Sequence, residues 1–160
     1  MNPESASFYF HPRKNEMITT IVTGLVAATS MMVLAWVVST YIIGQVICGD
    51  NTDGVCAQPF TLGYNIFLIL SALAATGWFA YSRIFRPALI TLPAVIMFWS
   101  LPQIFSGILN NSFFVFALLS VVLIALSYAA FYWIVRIRSF LIVALLWVLL
   151  TIGLRFMLVS

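Results

Sequence analysis

The sequence predicts an all-α integral membrane protein, a bundle of five transmembrane helices. Hydrophobic residues make up 64% of its 160 residues and charged residues only 7%. A soluble domain needs roughly 25% charged residues to cover its surface. Five apolar runs follow one another along the chain, and each can cross a hydrocarbon core of about 30 Å at a rise of about 1.5 Å per residue.

The chain divides into a polar tail and one transmembrane domain. Residues 1–16 contain two prolines and no apolar stretch long enough to insert, so they are predicted to be a cytoplasmic tail. The first apolar run is too long for the hydrophobic region of a secretory signal, which has about 7–15 residues. Residues 17–160 are therefore predicted to form one domain. Its spans are residues 18–43, 61–81, 87–109, 113–133 and 139–159.

Two prolines distinguish the third span. Pro93 and Pro102 each remove a backbone donor and disturb the preceding turn, so this helix is predicted to be kinked or broken. A re-entrant hairpin is the alternative. Re-entry would return the chain to the same side and disrupt the pattern of basic residues further along, which favours a full crossing.

The basic residues predict the orientation, because Lys and Arg near short loops are retained on the cytoplasmic side. With the amino terminus inside and the carboxyl terminus outside, six of the seven basic residues lie inside. Only Arg155 lies outside, where its stem is expected to carry the guanidinium outward to the interface. A multi-pass protein of a bacterial inner membrane or a eukaryotic endomembrane is expected. The predicted cytoplasmic boundary consists of Arg13, Lys14, Arg83, Arg86, Arg136 and Arg138.

The first outside loop contains both cysteines of the chain, Cys48 and Cys56. In a non-cytoplasmic compartment two nearby thiols oxidise to a structural disulfide. Membrane thiol oxidoreductases typically use a closely spaced CxxC pair, and these cysteines are farther apart. The pattern therefore favours a bond that staples the loop.

The same loop does not contain a metal-binding motif. Asp50 and Asp53 offer oxygen ligands, but an EF-hand register would place Gly49 at its first position and Phe60 at its twelfth, where a bidentate Glu belongs. His11, the sole histidine, lies on the tail, so a tetrahedral zinc site has too few ligands. Neither a metal nor a cofactor is predicted.

The ionisable residues also argue against several functional classes. No acidic residue lies in the centre of a predicted span, where coupled transporters and proton pumps commonly place one. No nucleophile has an evident activating base, so no catalytic residue is predicted. The basic residues lie at membrane boundaries and not along one stripe, which argues against nucleic acid as a partner.

The third span carries the candidate ligand or lipid pocket, formed by Trp99, Ser100 and Gln103. Simple packing is the favoured interpretation of these residues, since uncharged polar residues in membranes mostly bond between helices. Gln103 directly follows Pro102 and could bond a carbonyl group that the kink frees.

The leading functional hypothesis is a non-catalytic accessory, assembly or scaffold subunit whose helices pack against partner helices or lipid. Its expected partners are membrane lipids and other membrane subunits or a second copy. Short loops, extensive apolar surface and the lack of reactive residues favour it. One alternative is a small permease or lipid-handling carrier with its pocket near the third span, and a weaker one is a membrane thiol oxidoreductase. Flux or lipid transfer in reconstituted vesicles would distinguish the carrier.

Overall fold

The computed structural model describes residues 14–49, 54–84, 86–137 and 139–159. These residues are helical almost throughout, which confirms the all-α prediction. Three helical stretches are long and apolar enough to cross a membrane: Asn15–Cys48, Pro59–Tyr81 and Phe113–Val135. The α-helices are α1 (Lys14–Val37), α2 (Pro59–Tyr81), α3 (Ala88–Phe98), α4 (Leu101–Ile104), α5 (Ser106–Asn111), α6 (Phe113–Val135) and α7 (Phe140–Val159).

The first helix is longer than the predicted span 18–43. It begins at Lys14, inside the predicted tail, and α1 continues without a break into a π-helix, Val38–Cys48. Within the π-helix the buried residues are Ser39, Ile43 and Cys48. Their spacing of four and five residues fits the wider turn of a helix bonded from i to i+5.

Helices α1, α2 and α6 form the centre of the bundle, and small residues let them approach closely. A Cβ atom added to Gly24 of α1 would lie 3.3 Å from the Ala125 Cα of α6 and 3.2 Å from the ring of Tyr128. Gly63 of α2 lies directly against Ser39 and the Ala35 carbonyl group of the first helix. These small residues therefore serve packing within the chain.

The third predicted span consists of three short helices, α3, α4 and α5, and not one continuous helix. Pro93 lies inside α3, and the chain changes direction at Trp99 and Ser100, between α3 and α4. A hydrogen bond of 2.6 Å joins the hydroxyl groups of Thr76 on α2 and Thr91 on α3. This bond holds α3 against α2 at a position that comes before the break in the chain.

The two ends of the bundle differ in chemistry. At the end that we call the basic end, Glu16 near the start of α1 contacts Arg136, which follows α6. The turn from α2 to α3, with Arg83 and Arg86, lies at this end too. Phe79, near the end of α2, contacts Tyr128 near the end of α6 at a ring distance of 6.0 Å. The opposite end, the disulfide end, contains the cysteine pair and the break after α3.

Candidate functional site

The break after α3 has an unusual backbone. Trp99 is extended, with φ −57° and ψ 128°, and Ser100 is left-handed, with φ 58° and ψ 26°. The left-handed conformation costs an L-residue roughly 1–2 kcal/mol. Pro102 contributes to the interruption, because its nitrogen cannot donate the hydrogen bond that would continue α3. Neighbouring groups must therefore stabilise the break.

Asn65 of α2 supplies one part of that stabilisation. The backbone N–H of Ser100 donates to Asn65 Oδ1 over 2.9 Å, and Asn65 Nδ2 lies 3.4 Å from the Ser100 hydroxyl oxygen, which accepts from it. One amide thus bonds both the backbone and the side chain of the left-handed residue. In an apolar environment these groups would otherwise be unsatisfied.

Arg155 of α7 supplies the other part. Its Nη1 donates to the Trp99 carbonyl oxygen over 2.5 Å and to the Met97 carbonyl oxygen over 3.3 Å. The final carbonyl groups of a helix lack intrahelical donors and form the negative end of its dipole. Arg155 therefore does not simply extend outward as expected, because the broken helix offers it acceptors.

The residues of the predicted pocket lie at this break. Trp99 is 40% exposed and Ser100 is half-buried. Gln103 is exposed, and its side chain makes no hydrogen bond to the residues that the structure describes. The role expected of Gln103, bonding a carbonyl group freed by the kink, belongs to Arg155.

An open cavity of 620 Å³ lies elsewhere, between α1 and α2, and we call it the α1–α2 groove. Its walls are mostly apolar and include many small side chains. Trp78, near the end of α2, lines it towards the basic end. The residues used in the argument below are Thr23, Ala27 and Ser30 of α1 and Ser71 of α2, all of which line it.

Two hydroxyl groups of the groove, on Thr23 and Ser30, differ from those of Thr20 and Thr76. Thr20 and Thr76 donate to the carbonyl oxygen four residues earlier, over 2.8 and 2.7 Å. Thr23 and Ser30 make no hydrogen bond within the described part of the chain. Hydroxyl groups left without a partner in hydrocarbon are unfavourable, so the groove contains two groups that a polar neighbour would satisfy.

A partly buried ion pair lies at the basic end. Arg136 is 7% exposed, and its Nη2 contacts a Glu16 carboxylate oxygen and donates to the Tyr132 hydroxyl over 2.5 Å. Its guanidinium carbon also lies 4.6 Å from the centre of the Tyr132 ring. Arg136 is therefore a packing residue as well as part of the predicted basic boundary.

The other residues of that boundary have different surroundings. Arg83 is exposed and Arg86 is half-buried, and α1 begins at Lys14. Arg13 and Arg138 lie outside the described residues. Three arginines with described side chains thus lie at one end of the bundle.

At the opposite end, Cys48 and Cys56 lie at the distance of a disulfide bond, with 2.08 Å between the sulfur atoms and 5.5 Å between the Cα atoms. Asp50, Asp53 and His11 lie outside the described residues. In the part of the chain that is described, no group of three or more His, Cys, Asp or Glu residues comes together.

Comparison with known protein families, with curated proteins and with solved structures gave no match to this chain.

Proposed function

We propose that this protein is a non-catalytic membrane subunit that receives a transmembrane helix of a partner protein in the α1–α2 groove. The observation that carries the proposal is the pair of groove hydroxyl groups, on Thr23 and Ser30, that lack a hydrogen bond within the described residues. These residues are seven positions apart and hence on one face of α1. A partner helix can supply polar groups along that line.

A partner helix suits the groove better than a lipid chain does. Hydrocarbon has no hydrogen-bonding group, so it would fill the volume but leave both hydroxyl groups unsatisfied. Small residues such as Ala27 and Ser71 let helix backbones approach closely, and dispersion and interhelical hydrogen bonds then hold them together. The groove extends from Val22 to Leu34 along α1, roughly 18 Å or three turns of a docked helix.

A second copy of the chain does not fit through the same surface. A two-fold dimer must pair a surface with itself, and two concave grooves facing each other would leave their combined volume empty. The proposed partner is therefore a different protein. It presents a convex helix with small residues and at least one hydrogen-bonding side chain.

The proposal includes a topology of five crossings with the basic end in the cytoplasm. The helices α1, α2 and α6 are long enough to cross, α3 to α5 follow one another as one segment, and α7 has 20 residues. Arg83, Arg86 and Arg136 share one end of the bundle, as retention of basic residues on the cytoplasmic side requires. The disulfide end then faces an oxidising compartment.

Site-directed photo-crosslinking in native membranes tests the docking site. A photoreactive residue at Ser30, inside the groove, should crosslink to a transmembrane segment of another protein, identified by mass spectrometry of the adduct. The same residue at Thr29, which is exposed on α1 and does not line the groove, is the control. Crosslinks to lipid alone from Ser30, or equal protein crosslinks from both positions, would refute the proposal.

Filling the groove is the complementary test. Ala27→Leu should displace the partner and remove the complex seen after extraction in mild detergent. Ala130→Leu makes the same change at an exposed position of α6, outside the groove, and should leave the complex intact. A wild-type protein that is strictly monomeric under these conditions contradicts the assignment. A complex that contains only copies of this chain contradicts it too.

A further inference from the structure

Arg155 has hydrogen-bonding capacity that the break after α3 does not use. Its two hydrogen bonds to described residues, to the Trp99 and Met97 carbonyl oxygens, both come from Nη1. Its Nε and Nη2 atoms make no hydrogen bond to the described residues, and neither atom is buried. The Nε–Nη2 edge of the guanidinium is therefore accessible from outside the bundle.

The charge of Arg155 is not neutralised by an acidic side chain in the described part of the chain. The only acidic residue described there is Glu16, which contacts Arg136 at the basic end. The two carbonyl oxygens bind the guanidinium through their dipoles and carry no net charge of their own. A charge at the edge of hydrocarbon favours an anion beside it.

The geometry points to a phosphate-binding site at the Nε–Nη2 edge of Arg155, occupied by the headgroup of a phospholipid in the leaflet at the disulfide end. Two parallel N–H donors match two oxygens of a phosphate. The two carbonyl groups fix the plane of the guanidinium, so little side-chain entropy is lost on binding. This site is independent of the α1–α2 groove.

The position of Arg155 agrees with a lipid headgroup as the source of the phosphate. Arg155 lies four residues before the end of α7 at Val159, which is roughly 6 Å along the helix axis. Trp99, whose carbonyl oxygen accepts from Arg155, is itself exposed, and Trp is typical of the headgroup region. Lipid phosphate is the anion that every phospholipid leaflet supplies at this depth.

Native mass spectrometry of the full-length protein, purified in mild detergent, tests the site. Wild type should retain added phosphatidylglycerol but not diacylglycerol with the same chains, which lacks the phosphate. Arg155→Gln should retain phosphatidylglycerol at least about tenfold more weakly, since a hydrogen bond to a charged group is worth about that factor or more. Arg155→Lys, with a point charge but no fork, should fall between them.

Three controls separate phosphate binding from the support that Arg155 gives to the break. Asn65→Ala weakens the break without removing the guanidinium, so it should retain the lipid. Arg83→Gln removes an exposed charge at the basic end and should retain it as well. Inorganic phosphate is the third probe: competition by it at millimolar concentration, without selective lipid retention, would assign the edge to a free anion and overturn the headgroup as its source.

Equal lipid retention by wild type and Arg155→Gln would overturn the site itself. Loss of retention in Asn65→Ala as large as in Arg155→Gln would also overturn it, because the effect would then follow from the backbone of the break.

Discussion

The ion pair between Glu16 and Arg136 should make a measurable contribution to the free energy of unfolding. The perturbation is Glu16→Gln, which keeps the shape and one acceptor oxygen but removes the charge beside Arg136. Breaking a fully buried pair costs about 3–5 kcal/mol. Two features of the structure lower that figure: the Glu16 side chain is 28% exposed, and Tyr132 stays within 2.5 Å of the Arg136 Nη2.

We therefore expect Glu16→Gln to cost about 1.5–3 kcal/mol, the range for a hydrogen bond to a charged group. The measurement is reversible unfolding in mixed micelles with increasing sodium dodecyl sulfate, followed by tryptophan fluorescence and circular dichroism. Asn15→Ala changes an exposed residue at the same end of α1 and should stay within about 0.5 kcal/mol of wild type.

A double-mutant cycle gives the decisive comparison. If the two side chains interact as the structure shows, Glu16→Gln and Arg136→Gln together should cost less than the sum of the single variants, by at least about 1 kcal/mol. Additivity within about 0.5 kcal/mol would refute the reasoning, because it would mean that the carboxylate does not compensate the buried guanidinium.

Three further predictions concern other parts of the bundle. Asn65→Ala should cost about 1–3 kcal/mol in the same unfolding assay, because the Ser100 N–H loses its acceptor. Ser100→Gly should recover part of that loss, since glycine adopts a φ of 58° without strain, and an unchanged Asn65→Ala would contradict this account of the break. Replacing Cys48 and Cys56 by serine should lower stability by about 2.5 kcal/mol, the chain-entropy value for a loop of about nine residues. An impermeant thiol reagent should label the reduced cysteines from outside, and labelling only from the cytoplasm would reverse the topology. Gly24→Val should cost about 1–3 kcal/mol through overpacking against Ala125 and Tyr128, whereas Gly77→Val, with nothing within 4 Å of its added Cβ, should not, and equal losses of melting temperature would contradict the packing.

Local features of the chain predicted much of the fold. Apolar runs predicted helices. Cys48 and Cys56 are only eight positions apart in the sequence, and this proximity predicted the disulfide bond. The two prolines of the third span predicted an interruption, and one occurs just before Pro102. Pro93, in contrast, is accommodated inside α3, because a membrane helix tolerates a proline where its neighbours satisfy the freed backbone.

Contacts between helices could not be predicted in the same way. These helices are apolar on all sides, so their sequences do not indicate which face is turned inward. Glu16 and Arg136 are 120 positions apart in the chain. Each is a charged residue beside an apolar run, which by itself indicates only a membrane boundary. Along the chain, Gln103 is the amide side chain nearest to the expected kink. The rotation of the helices, however, brings Asn65 and Arg155 to the break instead.

The hydrogen bonds from Asn65 and Arg155 that stabilise the break after α3 also imply an order of assembly during synthesis. The Met97 and Trp99 carbonyl groups are made 58 and 56 residues before Arg155, which at a ribosomal rate of about 5–20 residues per second is a delay of roughly 3–12 seconds. Asn65 precedes Ser100 by 35 residues, so its bonds can form as soon as Ser100 has been made and lies beside α2. The bonds from α2 can thus form before those from α7, which must wait until Arg155 has been made.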